Sequence, residues 1–336
     1  MKRAYEGRRR TVLTSLAASV IVIGGIGLAA TPASAAPQCS NERFLTITQL
    51  EQGCDFHGKA LRISGDGDFA IPAPGEAVLG DAATVDGSPD VPEVMVANLG
   101  DEGVAVRVGD QWTGSVAARA KAEAMLHKNA ARRSSGAGST VTGGVSNPST
   151  KCSSTAYALT YGVWGAGGVG WYYNQYGAIV VGDTAFKSAA AAWTGSISAC
   201  GYYVNSSAKQ TYIGTTTANA NITSSATCAA RDSKNVVAWG ALPANYLTYT
   251  CWWVDSWGDN LESDQKYATG MAWSSSPTCY SGYDLQGVAT HEWGHTYGLT
   301  HVDGSTGQVM KGGSGTCEVS QRTLGHGDML GIDWLY

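Results

Sequence analysis

An eleven-residue stretch, His291-Glu292-Trp293-Gly294-His295-Thr296-Tyr297-Gly298-Leu299-Thr300-His301, restricts what this chain can become more than anything else in it. It matches HExxHxxGxxH, a pattern whose fixed positions each have a separate task. On a helix His291 and His295 are four apart, so both imidazoles share a face and can reach one metal ion. Gly298 lies three past His295, where positive φ can end the helix and turn the chain sharply. That turn would bring His301 back as a third ligand. Three neutral imidazoles leave the fourth tetrahedral position of Zn²⁺ open, which is the mark of a catalytic site. Glu292 sits beside the first ligand, placed to bind a water without itself holding the metal. The alternative is three histidines gathered by accident, and the added glycine and third histidine make it a poor competitor.

The first ten residues, MKRAYEGRRR, hold five basic groups, and a largely apolar run over 11–30 leads to Thr31-Pro32-Ala33-Ser34-Ala35-Ala36. This is the order of a secretory signal, with small residues at the cut. The reading is a signal peptide over 1–35, cleaved after Ala35. An uncleaved anchor is the alternative, because the apolar run approaches spanning length. After removal we expect a secreted, extracellular monomer with no membrane association. Residues 36–135 carry 9 Lys+Arg against 14 Asp+Glu, and residues 136–336 carry 8 against 12. Both parts are mildly acidic, so no basic surface is offered to nucleic acid or anionic lipid.

All eight cysteines follow the leader, two of them (Cys39, Cys54) in the first part and six (Cys152, Cys200, Cys228, Cys251, Cys279, Cys317) in the second. Even counts on each side fit two independent disulfide sets in an oxidising compartment. The six admit 15 pairings, and sequence does not choose.

Residues 36–133 read as a small β-rich unit, with strands at 93–97 and 103–108 and a helix at 115–132. Residues 134–150, SSGAGSTVTGGVSNPST, have the composition of a flexible linker. We read 36–133 as a propeptide and 134–150 as its removal zone, a permanent N-terminal domain being the alternative. Residues 151–336 can form one further domain. Strands are expected near 156–164, 170–173, 201–204, 235–239 and 246–254, and helices at 184–197, 285–297 and 328–335. Phe186, Ala190, Trp193 and Ile197 would share a stripe, and Asp284 would cap the metal helix. The fold class is α+β.

The motif, Val309-Met310 nine residues beyond His301, and the closing Arg322-Thr323-Leu324, Asp328 and Gly331–Tyr336 together resemble the matrixin-like branch of the metzincin zinc endopeptidases. The resemblance covers 150–336 and is specific over about 283–336. It implies a twisted, mostly parallel sheet, an active-site helix, a C-terminal helix, and Met310 packed beneath the three imidazoles. It places a substrate-binding edge strand somewhere in 262–273. Lys311-Gly312-Gly313 lacks the Pro or Tyr that often follows that Met, and no Pro-Arg-Cys-Gly switch occurs in 36–133. His326 is not expected to bind metal, since three ligands complete the pattern.

These readings lead to zinc-dependent hydrolysis of protein or peptide substrates, with His291, His295 and His301 on Zn²⁺ and Glu292 as general base. A zinc amidase acting on cell-wall peptides shares the chemistry. A secreted glycan- or protein-binding module is a different class, suggested by Trp164, Trp171, Tyr172, Tyr173, Trp252, Trp253 and Trp257, although such residues more often fill cores. Asp255, Asp259, Asn260, Glu262 and Asp264 crowd one stretch and would suit Ca²⁺, against the alternative of a solvated acidic turn. We further expect Cys39 bonded to Cys54, and the first unit to inhibit by occupying the cleft rather than by offering Cys54 as a thiolate.

Overall fold

The computed structural model describes Cys39 and residues 43–89, 91–133, 140–144, 149–160 and 162–336. The expected leader lies outside them. Nine stretches of largely β-branched, aromatic and small residues form one sheet. In chain order they are β1 (Glu76–Asp81), β2 (Val94–Asn98), β3 (Val104–Val108), β4 (Gln111–Gly114), β5 (Val169–Asn174), β6 (Gln210–Thr215), β7 (Asn235–Gly240), β8 (Thr248–Asp255) and β9 (Asn260–Ala268). Across the sheet they run β6-β5-β7-β9-β8-β1-β2-β3-β4.

The parallel character expected of this sheet is confined to one end. β6, β5, β7 and β9 are joined by parallel pairing. From β9 through β8 and on to β4 every joint is antiparallel. The reason is connection length. A parallel return needs a crossover, whereas the turns at Gly100–Glu102 and Gly109-Asp110 reverse the chain at once.

Strands from both sides of residues 134–150 therefore share one sheet. Residues 37–336 form one compact unit, and the chain divides after Ala36. Part of the presumed linker is itself ordered. Thr142–Gly143 pairs with Tyr202 and Tyr203, and the Thr140 N–H donates to Asp333 at 2.8 Å.

Helices cover the sheet: α1 (Val116–Arg133), α2 (Asp183–Ala191), α3 (Leu285–Tyr297) and α4 (His326–Leu335). α2 is shorter than the 184–197 expected. Gly195 at φ +65° stops the pattern, and Ile197 belongs to a strand, Gly195–Ala199. Trp193 and Ile197 are buried all the same, in the core that packs α2 and α3 on the parallel strands. A second core lies on the opposite face, where Leu45, Leu61 and Phe69 meet Val78, Val236, Cys251 and Trp253. A third sits under α1, whose Ala118, Ala122 and Met125 cover Leu79, Met95 and Trp252. Alternation along β8 thus sends Trp252 to the helical face and Cys251 and Trp253 to the other.

Disulfides join Cys39–Cys54, Cys152–Cys200, Cys228–Cys251 and Cys279–Cys317. No pair crosses between residues 36–133 and the rest, as the even counts suggested. Among the described residues no cysteine is free, and no helix is long and apolar enough to cross a membrane.

Candidate metal centre

α3 begins where the sequence placed it. Asp284 accepts the Gly287 N–H at 2.7 Å, and Arg322 forks onto the same carboxylate, with Nε–Oδ1 at 2.9 Å. Twelve of the thirteen α3 residues, all but Gln286, are buried. A helix enclosed on every side is a rigid platform, and its burial explains why no amphipathic stripe marks it. Gly294 is required within it. A Cβ there would lie 2.1 Å from Met310 Sδ and 3.0 Å from Trp193 Cζ2. Gly298 ends the helix at φ +101°, where a Cβ would lie 2.4 Å from the Gly162 carbonyl. The chain then reverses through Leu299–Thr300 and delivers His301.

The three imidazoles converge. Their ligating atoms all lie within 4.8 Å of one another, the one such grouping of His, Cys, Asp or Glu among the described residues. His291 Nε2 is 3.0 Å from His301 Nε2 and 3.1 Å from His295 Nε2. The Nδ1 of His291 faces the Val309 carbonyl at 2.8 Å, and that of His295 faces the Leu299 carbonyl at 3.0 Å. A carbonyl only accepts, so each Nδ1 carries the proton and each Nε2 a bare lone pair. Burial holds both rings neutral, lowering His291 to about 3 and His295 well below its usual value. Two lone pairs in van der Waals contact repel unless a cation lies between them. The donor set therefore fits Zn²⁺, which His291, His295 and His301 would hold.

Met310 packs against Gly294 of α3, and Asp328 fixes the turn that carries it. The Asp328 carboxylate accepts from the N–H groups of Val309 (2.8 Å), Met310 (3.4 Å) and Gly325 (2.7 Å). Trp252 of β8 lies parallel to the His295 ring, with centroids 5.5 Å apart.

Glu292 is fully buried, and its carboxylate faces β8. Thr248 donates to Oε1 and Thr250 to Oε2. Burial pushes its pKa up to about 7, opposed by those two hydroxyls and by the Ala83 N–H. The threonines are two apart on one strand and so share its helical face. Sequence reasoning missed both, along with Asp328. The signal available was the alternation of Thr248, Thr250 and Trp252 against Tyr249, Cys251 and Trp253.

Two expectations are corrected here. Residues 262–268, the strand within the 262–273 stretch, form no edge, because β9 is bonded on both sides, to β7 and to β8. The strand flanking the centre is β8. The acidic stretch forms no cluster of three ligating side chains among the described residues. Asp255 caps its own turn, accepting from Trp257 (2.8 Å) and Asp259 (3.0 Å). Glu262 and Asp264 are buried on β9 and accept N–H groups of Asn221, Asp232, Ser233 and Val236. Glu262 and Asp264 share one face of β9 and both accept from Asn221, while Asp255 is used up in its own turn. His326, never expected to bind metal, stacks on Tyr202 with centroids 3.7 Å apart. Of the aromatic residues that suggested a flat binding array, Trp171, Tyr173, Trp252 and Trp253 are buried, while Trp257 is exposed.

No curated protein matches the chain. Residues 251–336, which begin inside β8 and include α3, all three histidines, Met310 and α4, match the family model of the matrixins, which are zinc-dependent peptidases.

Proposed function

We propose that this chain is a secreted zinc-dependent endopeptidase. The observation carrying the reading is the meeting of two bare Nε2 lone pairs and a third imidazole beside a buried carboxylate. When bound, Zn²⁺ lowers the pKa of its water to roughly 7 and polarises a carbonyl. Glu292 takes the proton of the attacking water and passes it to the departing amine. Its raised pKa makes it a stronger base than an exposed carboxylate, and Thr248 and Thr250 hold it in one orientation. β8, whose outer side pairs with β1 here, would offer backbone donors and acceptors to an extended peptide that takes the place of β1. Met310 and Asp328 support the ligands from below and touch no substrate.

The test uses the full chain, nicked by limited proteolysis between residues 133 and 149, with casein as substrate and zinc content measured in parallel. Glu292→Gln should retain zinc and lose activity by about 10²- to 10⁴-fold, the usual contribution of general base catalysis. A chelator should abolish hydrolysis and added zinc restore it. Equal rates in native, chelated and Glu292→Gln protein would sink the proposal.

A further inference from the structure

The face of β8 turned away from the metal centre carries a cavity that peptide hydrolysis does not use. We propose that this cavity is a binding site for an organic cation on a short apolar stem, an alkylguanidinium or alkylammonium group. The proposal concerns binding alone and is independent of the endopeptidase reading.

The cavity is half-open and about 360 Å³ in volume, toward the small end of the roughly 300–1,000 Å³ usual for small-molecule sites. Thr248 and Thr250 point toward Glu292, so alternation sends Tyr249 between them to the opposite face, where it lines the cavity beside Tyr246. The two rings are nearly parallel, 27° apart with centroids at 6.4 Å. Asp66, Pro92, Ser224 and Ser225 also line it.

These walls are held in place before any ligand arrives. Asp66 lies between Gly65 and Gly67, in the turn of the hairpin formed by Ala60–Ile63 and Gly67–Ala70. A Cβ on Gly67 would lie 2.8 Å from Thr227 Cγ2, so the turn sits tight against the 223–227 loop. In that loop Thr223 Oγ1 accepts the N–H groups of Ser225 (3.2 Å) and Thr227 (3.3 Å), and the Cys228–Cys251 disulfide ties it to β8. The Tyr246 N–H donates to the Pro243 carbonyl at 3.2 Å. A preformed site loses little entropy on binding.

The chemistry of the lining selects a cation. Tyr249 is 2% exposed, and its hydroxyl makes no hydrogen bond to any described residue. Glycine at position 80 makes room for that hydroxyl, since a Cβ there would lie 2.3 Å from Tyr249 Oη. A buried hydroxyl without a partner is uncommon and costly unless something else bonds it. Asp66 likewise accepts no hydrogen bond and has no ion pair among the described residues. Burial pushes its carboxyl up, and no cation opposes the shift. The other acidic groups near Tyr249 are already engaged. Asp81 Oδ1 lies 3.7 Å from His301 Nδ1, and Glu93 pairs with Arg107. No lysine, arginine or histidine is among the residues lining the cavity. A guanidinium or ammonium group would meet the Asp66 carboxylate and the lone pairs of the Tyr249 oxygen, in charge-assisted bonds. The tyrosine faces add cation–π attraction, and Pro92 covers an apolar stem. An anion would meet only negative charge, and a neutral sugar would leave Asp66 unpaired.

The experiment uses the intact chain, as wild type, Asp66→Asn and Tyr249→Phe. Both substitutions keep the shape of the side chain, and neither residue belongs to the metal centre. Calorimetric titration with butylguanidinium measures the cation, and butylurea, its neutral isostere, measures what shape and stem contribute. A capped tripeptide with arginine between two glycines offers the same cation as a protein side chain. Wild type should bind a single butylguanidinium per chain and no butylurea at the same concentrations. Asp66→Asn should weaken the cation at least about tenfold and Tyr249→Phe about fivefold, the usual weights of a charged and an ordinary hydrogen bond. The Tyr249 hydroxyl has no partner to lose, so its removal should not lower stability in denaturant, and a fall in affinity then reads the site itself. A tripeptide bound as tightly as butylguanidinium identifies a protein side chain as the source of the cation. A weaker tripeptide identifies a free small molecule, and both results support the site. Absence of butylguanidinium binding, an affinity that Asp66→Asn leaves unchanged, or butylurea bound equally well overturns the proposal.

Discussion

The two ends of the central sheet obey different rules. β5, β6, β7 and β9 are parallel, and their Trp171 and Tyr267 pack against Trp293 of α3 and Phe186 of α2. β1 to β4 form an antiparallel meander of small and β-branched residues under a single helix, α1. A parallel sheet is stable only when both faces are covered, and that covering is what immobilises α3. A meander needs only an edge to grow from. The first end builds a rigid metal centre, and the second attaches along the strand that flanks it. If this division is right, damage to the centre should leave the meander standing.

The largest effect expected is for His295→Ala. The chain should lose its zinc and at least about 10³-fold of its hydrolysis, because a three-ligand site lacking one imidazole no longer holds a catalytic ion. Amide exchange in β2, β3 and β4 should stay unchanged. Zinc analysis and exchange on one sample decide both, and loss of protection in the meander would break the comparison.

Arg322→Ala comes next. It leaves the fully buried Asp284 without its guanidinium, with 18% of the Arg322 side chain exposed in the present pair. Removing one partner of a buried pair costs about 3 kcal/mol. Because Asp284 caps α3, the loss should appear both in denaturant unfolding and as weaker zinc binding.

Glu93→Ala probes the seam between the two ends. Glu93 pairs with Arg107 of β3 and accepts the Thr300 hydroxyl at 3.1 Å, one residue before His301. Arg107 retains some access to water, so about 2 kcal/mol is expected, toward the low side for a broken buried pair. An effect on stability with zinc affinity unchanged would sharpen the division, and a fall in zinc affinity would blur it.

The metal centre was legible because its chemistry demands residue types at fixed helical spacing. His291, Glu292, His295, Gly298 and His301 stand where the motif puts them, and Asp284 and Gly298 bound the helix as read. The Cys39–Cys54 pair was legible for a similar reason, since two cysteines alone in their segment have one partner each. What escaped was set by strand pairing. Thr248 and Thr250 reach Glu292, and Asp81 reaches His301, only because of the β8 and β1 registers, and no local periodicity encodes which strand lies beside which. The acidic stretch 255–264 misled for the converse reason. Its carboxylates are close in sequence, but Asp255 stays in the turn between β8 and β9, while Glu262 and Asp264 are buried together on β9 against backbone N–H groups.

The smallest effect concerns pH and the parallel end alone. Burial pushes Asp264 well above the usual carboxylate range, nearby Glu262 raises it further, and the N–H groups of Asn221 and Val236 oppose the shift. Burial raises Glu262 as well. A carboxyl whose folded pKa exceeds its unfolded value of about 3.9 holds a proton in the folded state that the unfolded chain has released. Its contribution to stability is therefore greatest below that unfolded value and declines as pH rises through the folded pKa. Asp264→Asn keeps the shape, loses one acceptor toward an N–H, and cannot titrate. The variant should be less stable than wild type at acid pH, with the gap narrowing as pH increases. Denaturant unfolding at several pH values reads this directly. A gap that widens with pH would mean that the two N–H bonds outweigh burial and that Asp264 is held as a stable anion. The loop carrying Asn221 and Cys228 would then be anchored to β9 by charge.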